Sequence, residues 1–216
     1  MDYKEALLKS LDKEDKDKSV QLAIKGLNEV QFTIPFLYEE ILRPFLYSID
    51  ECKDDDCIWK EHVRTSIVRT IIECVYPHVI EQKKEVVSNG LKVLLVCPEK
   101  EYHEIGLRMV ADFFSLNGYE AIFIGTNTPK KQVLYALVNT EPDYLAISVT
   151  DYYLLFEAKK MIEKIKSISG SIKIIVGGRA FKNNKELIKE MEVDIYLETY
   201  EDIVNLRKGD TNEISL

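Results

Sequence analysis

The sequence predicts a chain of two parts, a small α-helical bundle followed by a doubly wound α/β sheet. Three observations carry that prediction. Up to about Gln82 apolar residues recur at helical spacing and no strand-like alternation lasts. From Leu91 onward short, uninterrupted apolar runs alternate with amphipathic segments, the pattern of parallel strands covered by helices on both faces. Between the two lies Val87-Ser88-Asn89-Gly90, a polar stretch ending in glycine that reads as a linker. The expected domains are therefore residues 1–88 and 91–208.

In the first part, Tyr3 to Leu11 reads as a short helix. The charged run Asp12 to Lys18 leads into a second, Ser19 to Leu27. Ile34-Pro35 opens a third, since proline suits a first helical turn. Its stripe is Phe36, Leu37, Ile41, Leu42, Phe45, Leu46 and Ile49. Asp50 to Asp56 is polar and reads as a loop. Trp59 to about Gln82 makes a long fourth helix, with Val63, Ile67, Val68, Ile71, Ile72 and Val75 inward and Pro77 a point of kinking. Four helices with short connections make a bundle.

In the second part, strands are expected at Val93–Cys97, Ala121–Ile124, Tyr144–Ser148, Ile172–Val176 and Ile195–Leu197. Helices fall between them at about Glu104–Asn117, Lys130–Val138, Leu154–Ser167 and Lys185–Glu190. This length suits a five-stranded, flavodoxin-like order, in which ligands bind beyond the carboxyl ends of the strands.

Composition narrows the function. The chain has 216 residues, 46% of them hydrophobic and 31% charged, with 29 Lys plus Arg against 37 Asp plus Glu. A net charge of -8 argues against direct nucleic-acid binding, which needs a basic face. No apolar run approaches the roughly 18 residues of a membrane span, and MDYKEALLKS is too charged for a signal peptide. Cys52, Cys57, Cys74 and Cys97 form no CxxC pair, which fits reduced thiols. A cytoplasmic protein is expected.

The strand ends carry the unusual residues. After the first strand comes Glu101-Tyr102-His103-Glu104-Ile105-Gly106, after the third Ser148-Val149-Thr150, after the fourth Gly177-Gly178. One glycine in the first loop cannot supply a dinucleotide or phosphate loop. The third strand ends in Ser148, where a receiver domain needs a phosphoacceptor Asp. What the first loop offers, by itself, is either a surface histidine at a loop-to-helix junction or a metal-ligand arrangement. A neutral imidazole donates a lone pair, a nearby carboxylate fixes its tautomer, and Gly106 lets a bulky ligand approach.

Taken in order, E-x-H-x-x-G, S-x-T and G-G resemble the motifs of the cobalamin-binding domain family, D-x-H-x-x-G, S-x-L (or S-x-T) and G-G. The resemblance covers Leu91 to about Leu206. It implies a cobalamin whose dimethylbenzimidazole tail leaves cobalt and enters a cleft beside the sheet. His103 then becomes the lower axial ligand of cobalt, Ser148 offers its hydroxyl to the tail, and Gly177 and Gly178 leave room for it. Glu101 stands where the family usually has Asp, and Thr150 and Gly106 complete the motifs.

The helical bundle is similar to the one that covers the upper corrin face in methyl-carrying corrinoid proteins and in MerR-type light-sensing cobalamin regulators. The light sensors carry Trp, nine residues, then Glu-His. Here Glu61-His62 matches the end of that motif, but Glu51, or Lys53 with a two-residue gap, stands where Trp is needed, and Trp59 is only two residues before Glu61. The resemblance implies upper-face contacts from Glu61 and His62 without the aromatic one, and no strong preference among adenosyl-, methyl- and hydroxocobalamin. His78 is expected to be structural and Cys97 to be small buried packing. With no nucleophile–base pair in view, the expected role is a non-catalytic sensor or regulatory module acting on a protein partner, without a DNA-binding domain of its own. The alternative is a corrinoid carrier that shuttles methyl groups between methyltransferases.

Overall fold

The computed structural model describes residues 2–48 and 57–208, so Glu51 and Lys53 lie outside the described residues. The chain divides into two compact units, the first ending at Glu85 and the second beginning at Val86.

The first unit is all helix. α1 (Tyr3–Asp12) starts at Asp2, whose carboxylate accepts the Glu5 N–H at 3.1 Å. α2 (Lys16–Asn28) is capped in the same way by Asp15, which accepts from Lys18 N at 3.1 Å. Thr33 caps α3 (Ile34–Phe36), with Pro35 in its first turn as expected. The helical path then widens into a π-turn, Leu37–Leu42, before α4 (Arg43–Tyr47). Pro44 explains the widening, because it has no N–H to give and its ring crowds the preceding turn. Arg43 N accordingly donates to Tyr38 O, one residue further back than in an α-helix. Tyr38 is fully buried here, a position outside the expected stripe. α5 (Cys57–Lys84) runs through Pro77 and buries Ile67, Val68, Ile71, Ile72 and Val75.

The second unit is a five-stranded sheet whose described pairings are all parallel. Its strands are β1 (Lys92–Pro98), β2 (Glu120–Thr128), β3 (Tyr144–Ser148), β4 (Lys173–Gly177) and β5 (Ile195–Tyr196). Their order is β2-β1-β3-β4-β5, the flavodoxin-like arrangement that strand and helix alternation predicts. β1 is an interior strand, between β2 and β3, and is buried from Val93 to Cys97. Leu94, Val96, Leu145, Ile147, Ile174 and Val176 pack against α7 (Lys130–Thr140) and α8 (Leu155–Lys166) through Val133, Leu137, Ala158, Ile162 and Ile165. α6 (Ile105–Leu116) packs on β1, β2 and α11 (Tyr200–Lys208), with Phe113 edge-on to Tyr200 at 5.0 Å. Two short helices, α9 (Arg179–Lys182) and α10 (Lys185–Lys189), join β4 to β5.

α9 and α11 are absent from the periodicity reading, the first because four residues carry no period. β2 is longer than expected because it is bulged. It takes five steps from Phe123 to Thr128 while β1 takes three from Leu95 to Pro98.

Candidate functional site

β1 ends at the switch point of the sheet, where the neighbours β2 and β3 are left by connections that run apart and a crevice opens. The loop from Pro98 to Glu104 fills that position. Its centre is Glu101, a fully buried carboxylate. Oε1 accepts from His103 Nδ1 at 2.6 Å and from His103 N at 3.0 Å. Oε2 accepts from the backbone N–H groups of Thr150 at 2.8 Å and Asp151 at 3.0 Å. Burial pushes this carboxyl toward protonation. The bonds from the His103 ring and from the Asp151, His103 and Thr150 backbone outweigh it and hold the group below the usual carboxylate range. Glutamate is one methylene longer than the Asp of the usual motif, and its reach to the imidazole is complete.

This geometry fixes the imidazole. With Nδ1–H donated to a carboxylate, the neutral ring carries its lone pair on Nε2. The His103 side chain is 50% exposed while its carboxylate partner is wholly enclosed. Cys97, at the end of β1, is buried as expected, and its thiol donates to the His103 carbonyl at 3.8 Å. Burial, with Glu101 and Glu104 nearby, pushes the thiol pKa far up.

The three sequence motifs meet. Glu101 reaches the β3 loop through Thr150, and Ser148 and Val149 lie against Gly178. Gly178 has φ +98°, and a Cβ there would stand 2.5 Å from Val149 O and 3.0 Å from Ser148 Oγ. A Cβ on Gly177 would stand 2.8 Å from Leu197 O. Clearance at this pair is thus taken up by the domain's own loop and by the residue after β5. At Gly106, by contrast, a Cβ would meet nothing within 4 Å.

Two further features were not read from the sequence. Asn127, at the end of β2, accepts the Lys100 N–H on Oδ1 at 2.8 Å and donates its own N–H to Glu101 O at 2.9 Å. Tyr102, Tyr152, Tyr153 and Phe156 are large, exposed aromatics on the β1 and β3 loops and the start of α8. Asp151 caps the 3₁₀ turn Tyr152–Leu154 by accepting from Tyr153 N at 3.0 Å. Alternation of buried and exposed residues in these loops has no period, so pattern reading passes over them.

In the helical unit, Glu61 is half-buried and His62 exposed, on the second turn of α5. His62 lines a pocket of about 410 Å³ with Glu14, Lys16, Val63, Ser66 and Ile67. Trp59 is 55% exposed, with Lys60 Nζ 5.7 Å from its ring centre. His78 is half satisfied. Nε2 pairs with Asn28 Oδ1 at 2.9 Å, and Nδ1 is buried without a hydrogen bond. Among the described residues no group of three or more His, Cys, Asp or Glu is arranged to hold a metal ion. No described helix is long and apolar enough to cross a membrane.

The class of protein is thus a flavodoxin-like parallel α/β domain with one carboxylate-oriented histidine in the loop beyond β1, at the switch point of the sheet. The family description "B12 binding domain" matches residues 91–205, and the chain belongs to that family. It is 23% identical over 145 residues to the HTH-type transcriptional repressor CarA of Myxococcus xanthus, covering 67% of this chain and 48% of the repressor. It is 24% identical over 140 residues to trimethylamine corrinoid protein 1 of Methanosarcina mazei, covering 64% of this chain and 63% of that protein. The matched region thus spans less than two thirds of either relative. Among solved structures, the monomethylamine corrinoid protein of Methanosarcina barkeri aligns with a TM-score of 0.79 at 14% identity, covering 95% of this chain and 96% of that one. The fold is shared along nearly the whole length. The protein is a cobalamin-binding protein with relatives among both corrinoid proteins and regulators.

Proposed function

We propose that this protein binds cobalamin base-off, with His103 as the lower axial ligand, and works as a regulatory module on a protein partner. The observation that carries the reading is the clamp of Glu101 on His103 Nδ1 at 2.6 Å. A buried, ionised carboxylate fixes the tautomer that leaves the lone pair on Nε2 and raises the basicity of the ring. The donor set is one imidazole, which suits a metal that arrives with a macrocycle on its other positions. Bound cobalamin supplies the cobalt–carbon chemistry. The chain's own residues orient the ligand, with Ser148, Thr150, Gly177 and Gly178 beside the tail and Gly106 open to the ring. Residues 1–88 act as the cap over the upper corrin face, through Glu61 and His62, and 91–208 as the cobalamin domain.

The regulatory role is favoured by Glu in place of Asp at position 101 and by the Glu61-His62 pair, both closer to the light-sensing branch. A second reading, a methyl carrier serving methyltransferases, is favoured by the whole-length likeness in fold to a corrinoid protein. The site chemistry is the same in both.

The test begins with visible spectra of the protein loaded with hydroxo-, methyl- and adenosylcobalamin. Cobinamide, which lacks the tail, should give the same His-ligated spectrum as cobalamin. His103→Ala should shift that spectrum and weaken binding about 10- to 100-fold. An unchanged spectrum and affinity remove His103 from the role. Partner binding that changes on illumination or alkyl exchange decides for the regulator. Transfer of the methyl group from the loaded protein to a methyltransferase, with no such change, decides for the carrier.

A further inference from the structure

The histidine loop is held from two sides, and only one of them is the carboxylate. On the β3 side, Glu101 Oε2 bridges to Thr150 and Asp151. On the β2 side stands Asn127, whose two backbone-directed bonds go to consecutive residues of the loop, Lys100 and Glu101. Both Asn127 (φ +48°) and Lys100 (φ +72°) are in the left-handed region, which non-glycine residues visit at a cost. Neither is glycine. Asparagine tolerates this region better than most residues and, unlike glycine, brings an acceptor oxygen.

The bulge in β2 explains how Asn127 arrives there. Without the extra residues between Phe123 and Thr128, β2 would run in register with β1 and end short of the loop. Gly125, at φ +100° inside the bulge, lets the strand make the detour, and Glu104 Oε2 lies 3.2 Å from where its Cβ would be. Thr128 Oγ1 then closes the bulge on the carbonyls of Gly125 and Thr126, both at 3.3 Å. Bulges of this kind commonly re-aim a residue beside a functional site.

We infer that Asn127 is a positioning residue for the axial histidine, holding the backbone of Lys100 and Glu101 so that the Glu101 carboxylate meets His103 Nδ1; this rests on the reading of His103 as the cobalt ligand. The bonds of Asn127 go to the backbone of Lys100 and Glu101. The residue acts through Glu101.

The experiment uses the full chain with and without hydroxocobalamin. Asn127→Gly keeps the left-handed backbone and removes only the acceptor oxygen. Asn127→Ala, which loses the same oxygen, is the second variant. Asn127→Asp retains an acceptor and is the rescue. In the apo protein, ring ¹H–¹⁵N correlations of His103 should show one fixed tautomer, Nδ1–H, in the parent and in Asn127→Asp. A tautomer mixture is expected in the Gly and Ala variants. In the loaded protein those two variants should bind hydroxocobalamin about three- to tenfold more weakly, the scale of one solvent-accessible hydrogen bond. The His-ligated fraction of the spectrum should fall with it, while the urea midpoint of Asn127→Gly, which keeps the left-handed backbone without strain, stays close to the parent. Parent-like tautomer and affinity in Asn127→Gly and Asn127→Ala overturn the inference and leave the His103 reading standing. A parent spectrum indifferent to His103→Ala overturns that reading, and the positioning role with it.

Discussion

Each unit of this protein carries a glutamate–histidine pair, and the two are built on opposite principles. In the sheet unit, Glu101 and His103 sit two residues apart in a loop, where the backbone can curl until carboxylate and ring meet at 2.6 Å. Every oxygen of that buried carboxylate is used, by the ring, by His103 N and by two backbone donors of the next loop. In the helical unit, Glu61 and His62 are consecutive residues of α5, so their side chains diverge by about 100° and do not face each other. His62 is exposed on a pocket wall with Glu14 and Lys16. The lesson is that the same two residue types can form a closed carboxylate–imidazole clamp or point in different directions, and loop or helix decides which.

The sharpest way to break the comparison is to remove each glutamate. Glu101→Ala leaves the Thr150 and Asp151 N–H groups without their acceptor. It should cost about 3 kcal/mol or more of stability by urea unfolding, and it should abolish the His-ligated spectrum. Glu61→Ala, at a half-buried helix position, should cost less, about 1 kcal/mol or below. Equal losses would mean that the two pairs are not different in kind.

Next in size is the glycine pair. Gly177→Val places its Cβ against Leu197 O, so it should destabilise the sheet edge by about 1–3 kcal/mol. Binding of cobalamin and cobinamide should fall in parallel. A selective loss of cobalamin would show that the added side chain reaches the tail instead.

A smaller effect is set by pH. Glu101 has a carboxyl held below its unfolded value near 4.3. Its contribution is therefore present above that value and is lost as pH falls through the lower, folded one. In urea melts from pH 7 to pH 3, the parent should lose its advantage over Glu101→Gln only below about pH 4. An advantage that persists undiminished at pH 3 would show that the ionised carboxylate is not what stabilises the loop. The smallest effect is expected at His62. His62→Ala should leave the urea midpoint unchanged and alter cobalamin affinity by less than about fivefold, as for a contact at a solvated rim.

Most of the fold is legible because it rests on burial. Strands β1, β3 and β4 are continuous apolar runs, and the order of strands and helices implies both the parallel sheet and its switch point. The π-turn before Pro44 is not legible, since the proline itself is seen but the way the chain absorbs it depends on Tyr38 being buried. The motif histidine, its carboxylate and the S-x-T and G-G turns are readable at fixed positions. Which atoms meet is another matter. That Glu101 binds Thr150 and Asp151 through backbone N–H groups depends on loop geometry to which side-chain identity contributes nothing. Asn127 is hidden for a related reason, because the bulge that aims it changes register and so erases the alternation by which a strand is read.

The buried thiol of Cys97 has a consequence for how the protein survives its own cofactor. Alkylating and oxidising agents attack thiolates, and attack needs both deprotonation and access. Cys97 lies one loop from the proposed cobalt ligand, yet it is sealed from solvent, held as the thiol by burial, and occupied with the His103 carbonyl. A carbon electrophile at that end of the sheet meets a sulfur with little nucleophilic character. Cys74, exposed on α5, is the described cysteine that such reagents would modify first. The end of β1 can therefore hold a sulfur one loop from the proposed cobalt ligand without exposing a thiolate.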